Sequence, residues 1–218
     1  MTQETILNLW RKNLGSVPDW VWERTEVETL ILADNGLTEI SEGIGRMKRL
    51  QTLDLGHNQL AKLPESLGEL MELSDFLYVH DNRLTELPAS LGKLQKLRYL
   101  NISGNAFSVF PKVVCGMAGL IELRATDNAF SQLPDDITRL SRLRELHLRN
   151  NRLTALPGSI GKLVELRQLD LRGNPLESLP VCIASLPKLE KLDLRWVNSL
   201  PRYEWFASLE TRGCVVYR

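Results

Sequence analysis

The chain has 218 residues, and its 27 Lys plus Arg balance 27 Asp plus Glu, so the formal net charge is zero. That balance gives no pull toward nucleic acid or an anionic membrane surface. No run of about 18 apolar residues marks a transmembrane helix, and the opening MTQETILNLW lacks the basic segment and apolar core of a secretion signal.

Taken in chain order, residues 1–26 read as a degenerate first unit. Leu7, Leu9, Leu14, Val17 and Pro18 keep the offsets of the units that follow, but Lys12 stands where they carry asparagine. Trp10, Trp20 and Trp22 gather in this segment, and are expected to cover the open end of a core. Seven regular units are expected over residues 27–188, each anchored by an asparagine: Asn35, Asn58, Asn82, Asn105, Asn128, Asn151 and Asn174 recur every 23 residues, with one interval of 24. A fixed period of this length means stacked units that cannot bury their apolar faces alone. In each unit a pair of apolar residues two apart, such as Leu53/Leu55, Leu77/Val79 or Leu146/Leu148, predicts a short strand with one buried side. The asparagine after it is expected to satisfy turn amides and carbonyls that the sheet leaves open. Pro64, Pro88, Pro111, Pro134, Pro157 and Pro180 then start an irregular or helical outer segment. Within it Gly45, Gly68, Gly92 and Gly161 mark a tight path or left-handed turn. The longer interval arises between Leu73 and Leu77, where one extra residue enters ahead of a strand. It is read as a tolerated insertion, with displacement of Phe76 as the alternative. Residues 189–218 form a terminal unit and cap: Leu192 and Leu194 repeat the strand, Val197 replaces the asparagine, Trp205, Phe206 and Leu209 predict a short helix, and Cys214–Tyr217 a closing strand.

The cleanest unit, Leu143 through Leu163, follows LxxLxLxxNxLxxLPxxIGxL. Its first part is the leucine-rich repeat signature. Its continuation resembles the 23-residue subclass found in Ras-binding scaffolds, the Ras suppressor family and bacterial and plant intracellular repeat proteins. The resemblance covers essentially the whole chain. It implies an α/β solenoid: a right-handed horseshoe with a parallel concave β-sheet and short helical or 3-10 convex segments, forming a single domain over residues 1–218. It also implies a protein partner, with a small GTPase or another signalling protein as one class.

The residues that alternate with the core pairs line the concave side, the usual binding surface of such arrays. Two groups stand out there. Phe76, Tyr78 and Tyr99, with His57 and His80 beside them, make an aromatic patch, and exposed aromatics are candidate binding anchors. Arg149, Arg172 and Arg195 occupy one column on consecutive strands, with Arg124 and His147 nearby. Asp170, Asp193 and Glu145 in adjacent columns are positioned to pair with them, so the strip reads either as an internally neutralised sheet or as a dock for an acidic partner. The expected partner-binding set is Phe76, Tyr78, His80, Tyr99, Arg124, His147, Arg149, Arg172 and Arg195.

No catalytic, cofactor-binding or metal-binding residue is expected. His147 lies three units from His80, roughly 14 Å at strand spacing, which leaves only His57 and His80 able to meet. No phosphate loop, dinucleotide fingerprint or HExxH appears. Cys115, Cys182 and Cys214 are odd in number and far apart, reading as small hydrophobes in a reducing, cytoplasmic compartment. The expectation is a monomeric, non-catalytic scaffold that binds a protein on its concave face. The alternative is a substrate-recognition module of a signalling enzyme or bacterial effector, of a ubiquitin-ligase-like or kinase-associated kind.

Overall fold

The computed structural model describes residues 5–218, so Met1 to Glu4 of the first unit lie outside it. Every unit contributes three residues of strand, and ten strands form one parallel sheet in strict chain order. They are β1 (Ile6–Asn8), β2 (Thr29–Ile31), β3 (Thr52–Asp54), β4 (Phe76–Tyr78), β5 (Tyr99–Asn101), β6 (Glu122–Arg124), β7 (Glu145–His147), β8 (Gln168–Asp170), β9 (Lys191–Asp193) and β10 (Val215–Tyr217). The leucine at the centre of each strand sits opposite the next, from Leu30 and Leu53 through Leu77 to Leu192. These leucines are fully or almost fully buried, as are their partners two residues on, such as Leu32, Leu55 and Leu148. Each such side chain contributes about 1.5–3 kcal/mol by leaving water, and the contribution accrues only when a neighbouring unit supplies the other wall.

The prolines do what their missing amide suits them for. Pro64, Pro88, Pro111, Pro134, Pro157 and Pro180 each precede a five-residue 3-10 turn in extended conformation, with φ between −60° and −74°. In the unit without this proline, Ser41 takes the position and its hydroxyl accepts from the Gly43 amide at 3.1 Å.

The glycines at these outer turns work differently from the left-handed turn expected of them. Gly45, Gly68, Gly92 and Gly161 do not have positive φ. Three of them instead let adjacent turns touch: a methyl on Gly68 would stand 2.3 Å from Ser90 Cβ, on Gly161 2.6 Å from Cys182 Cβ, and on Gly45 2.8 Å from Ser66 Cβ. Most left-handed residues are elsewhere, in a column immediately before the asparagine position. Asp34, His57, Asp81, Gly104, Asp127, Asn150, Gly173 and Trp196 all have φ between 50° and 65°. Asp, Asn, His and Gly are the residues that tolerate this conformation; Trp196 is not.

The asparagine column behaves as expected except at Asn151, whose amide donates to three carbonyls but whose buried Oδ1 has no partner. The Asn58 amide donates to the carbonyls of Leu32, Leu55 and Gly56 at 3.0–3.1 Å, and its Oδ1 accepts from the amides of Asn35 and Leu37, both at 3.0 Å. Its acceptor therefore serves the preceding unit. The extra residue of the long interval is absorbed ahead of β4: Arg98 and Tyr99 donate to successive carbonyls, Ser74 and Asp75, where Gln51 and Thr52 share the single carbonyl of Glu28. Phe76 stays in register, opposite Thr52 and Tyr99.

Of the three tryptophans expected to cover the first end of the core, only Trp22 does so. It is 2% exposed and lies against Gly43, whereas Trp10 and Trp20 are 52% and 45% exposed. At the other end α1 (Trp205–Thr211) buries Phe206 and Leu209, and β10 pairs in parallel with β9. None of the described helices is long and apolar enough to cross a membrane.

Candidate functional site

Strand alternation turns the first and third residue of every strand onto the face opposite the buried leucines. On β4 and β5 this places Phe76, Tyr78 and Tyr99 side by side. Their ring centroids are 5.0–5.7 Å apart, with Phe76 and Tyr78 stacked at 10°. Tyr78 continues to His80 at 5.9 Å and His80 to His57 at 4.8 Å, both edge-on. Phe76 is 41% exposed. Burial raises both phenols, Tyr99 to about 12, so both are neutral donors at physiological pH. The aromatic group expected from sequence is thus a single contiguous cluster.

The arginines form a second, differently organised group. Arg172 makes two hydrogen bonds to Asp170, 2.9 and 2.6 Å, and Arg195 two to Asp193, 2.9 and 2.8 Å. Arg149 reaches Asp127 at 3.2 Å, and Arg124 bonds Glu122 at 2.6 Å. Of the two readings the sequence leaves open, internal pairing is the arrangement found. Asp193 has no exposed surface; burial pushes its carboxyl up, but the hydrogen bonds from Arg195 and the charges of Arg172 and Arg195 outweigh this and hold it below its ordinary value. Arg124 links the groups, its guanidinium lying 5.9 Å from the Tyr99 ring. Between them a hollow of about 320 Å³ is lined by Ser103, Arg124, Asp127, His147, Arg149, Asp170 and Arg172 among others. Arg195 stands apart from it, beside Trp196 and Tyr217.

Trp196 was missed by the sequence reading. It is 64% exposed, holds a left-handed backbone, and has Arg172 and Arg195 at 5.8 and 5.9 Å from its ring. The signal was available: within the units after the first, whose member is Arg11, it fills the column otherwise held by Asp, Asn, His and Gly. Carboxylates stand beside the histidines as well. Among the described residues two groups bring three possible ligand atoms within 4.8 Å of one another: His57, His80 and Asp81, and Glu122, Glu145 and His147. His80 is shifted toward its neutral form, chiefly by burial and then by His57.

A family model described as a leucine-rich repeat region matches residues 21–125 and 129–211. The chain belongs to the leucine-rich repeat family. No curated protein matches it. Among solved structures, the leucine-rich repeat domain of the type III effector XopL is 27% identical, covering 100% of this chain and 77% of that one with a TM-score of 0.87. The ectodomain of the plant receptor kinase GASSHO1/SCHENGEN3 from Arabidopsis thaliana, solved in complex with CASPARIAN STRIP INTEGRITY FACTOR 2, is 31% identical over 82% of this chain and 25% of its own, with a TM-score of 0.63. An internalin from Listeria monocytogenes shares the fold at 19% identity, TM-score 0.67, over 93% of this chain and 64% of its own. Leucine-rich repeat domains are generally protein–protein interaction modules, and this one presents the horseshoe with its sheet on the concave side.

Proposed function

We propose that this leucine-rich repeat chain is a non-catalytic scaffold that binds a protein partner on its concave face, centred on Phe76, Tyr78 and Tyr99. The observation that carries this reading is the contiguous aromatic cluster. Three large rings stand together on adjacent strands, flanked on β6 to β9 by polar and charged residues, and Phe76 is substantially exposed with no packing role in the core. Aromatic anchors of this kind supply most of the energy at interfaces. The flanking hollow, with Arg124, His147, Arg149 and Arg172, supplies charged rim contacts that fix orientation more than affinity. Because the strip is paired internally, a partner carboxylate docks there by exchanging with Asp127 or Asp170. A preformed sheet loses little entropy when it binds, so shape and charge select the partner.

The chain acts in the cytoplasm as a monomer in this reading, and the partner is a signalling protein, with a small GTPase as one class. A second reading, a recognition module of an effector, is favoured by the likeness to the XopL domain along the full length of this chain. The test is affinity capture from candidate host and native lysates with wild type, Phe76→Asp and Arg149→Ala, each first shown to be folded. A protein retained by wild type, lost with Phe76→Asp and weakened with Arg149→Ala supports the concave site. Equal retention by all three places binding on another face and overturns it. The lysate that yields the partner separates the two readings.

A further inference from the structure

We propose that His57, His80 and Asp81 form a binding site for a divalent transition metal of the zinc type on the concave face. His57 and Asp81 are consecutive members of the left-handed column, with φ of 53° and 50°, and this shared backbone aims both side chains at the same space. His57 Nδ1 lies 3.3 Å from Asp81 Oδ2, and His80 Nε2 lies 4.0 Å from the same oxygen. Tetrahedral zinc with bonds of about 2.0–2.1 Å needs ligand atoms about 3.3 Å apart. One pair already meets that separation, a second is 0.7 Å longer, and all three ligand atoms lie within 4.8 Å of one another.

The backbone has been cleared for these side chains. A methyl on Gly56 would stand 2.3 Å from His80 Cε1 and 2.8 Å from its Nδ1. A methyl on Gly104 would stand 2.1 Å from Asp81 Oδ1. His80 Nδ1 lies buried beside Gly56, which leaves Nε2, the nitrogen nearer Asp81, as the one placed to coordinate.

Two imidazoles and one carboxylate suit zinc and neighbouring transition metals, whereas calcium and magnesium prefer oxygen donors. Three protein ligands leave further positions open toward the concave channel. The other convergent group, Glu122, Glu145 and His147, is unsuited, because the Arg124 guanidinium is bonded to Glu122 at 2.6 Å and repels a cation there.

The chain has only three histidines, so imidazole NMR reports each one. Tag-free full-length protein, stripped with a chelator, is titrated with zinc alone by calorimetry and by NMR. The expected result is one saturable site per chain, shifts confined to the His57 and His80 rings, and weakening of about tenfold or more in His57→Gln and in Asp81→Asn. His57 is exposed, so its variant folds even where the Asp81 change does not. No saturable binding, binding unaltered in His57→Gln, or shifts centred on His147 would each overturn the proposal.

Discussion

Replacing Asn58 by alanine removes five hydrogen bonds from a residue that is 8% exposed. The amides of Asn35 and Leu37 lose their acceptor, and a stranded buried donor costs about 1–3 kcal/mol. Two such donors give about 2–6 kcal/mol, and partial entry of water into the vacated space lowers the upper end, to about 2–4 kcal/mol. Asn128 is the contrasting case. It is only partly buried, donates to Ile102 and Thr126, and accepts from one amide, Phe107, at a long 3.3 Å. Asn128→Ala should therefore cost about 1–2 kcal/mol. Urea unfolding followed by circular dichroism measures both. Hydrogen exchange adds a local readout: in Asn58→Ala the fastest-rising amides should be Asn35 and Leu37, in the preceding unit. A loss below about 1 kcal/mol for Asn58→Ala, or a loss for Asn128→Ala as large as for Asn58→Ala, would refute the account of the asparagine column.

Gly68→Ala should destabilise by about 1–3 kcal/mol, since its methyl meets Ser90 backbone at 2.4 Å, while Gly158→Ala, with open space around it, should be neutral or slightly stabilising; thermal melts compare the pair. Trp196→Gly should raise stability by about 1 kcal/mol by relieving a left-handed non-glycine backbone at an exposed site, and a lower melting temperature would show that its contacts with Arg172 and Arg195 outweigh the strain. Asp193 has a folded pKa below its ordinary 3.8, so its contribution is present above that value and lost as pH falls through the folded pKa; unfolding measured from pH 5 downward should steepen near pH 4, and Asp193→Asn should flatten that region. Arg172→Glu should cost about 1.5–3 kcal/mol, because it places a third carboxylate beside Asp170 and Asp193, and a change within about 0.5 kcal/mol would show the pairing to be dispensable.

The fold was legible because every unit repeats the same constraint. Leucines two apart can only share one face, and the asparagine after them has one place to go. The candidate surface was legible for the same reason, as period-two alternation puts Phe76, Tyr78 and Tyr99 on one side whatever the curvature. What failed to show were contacts that depend on distances between units. The outer glycines recur at a spacing like that of turn residues, yet three of them admit Ser66, Ser90 and Cys182 from the next turn, which no pattern within one unit reveals. Charges of opposite sign in adjacent columns left the arginine strip open to two readings until the bidentate geometry was seen. Asp81 was passed over as a partner for the histidines because it lies in the turn column, outside the strand columns from which the face was read.

The asparagine bonds also give the array a head and a tail. Six of the seven Oδ1 atoms reach toward the amino-terminal neighbour, as Asn35 does to Lys12 and Asn58 to Asn35 and Leu37, whereas that of Asn151 is buried without a partner. Removing a unit from the amino end returns that acceptor to water and takes one carbonyl from an amide that keeps two others, as Asn58 would keep Leu55 and Gly56. Removing one from the carboxyl end strands donors in the unit left behind. Val197, standing where the next asparagine would be, already ends the ladder. Deletion from the two ends is thus unequal, and an added unit splices most readily at an interior junction, where both complementary faces are present.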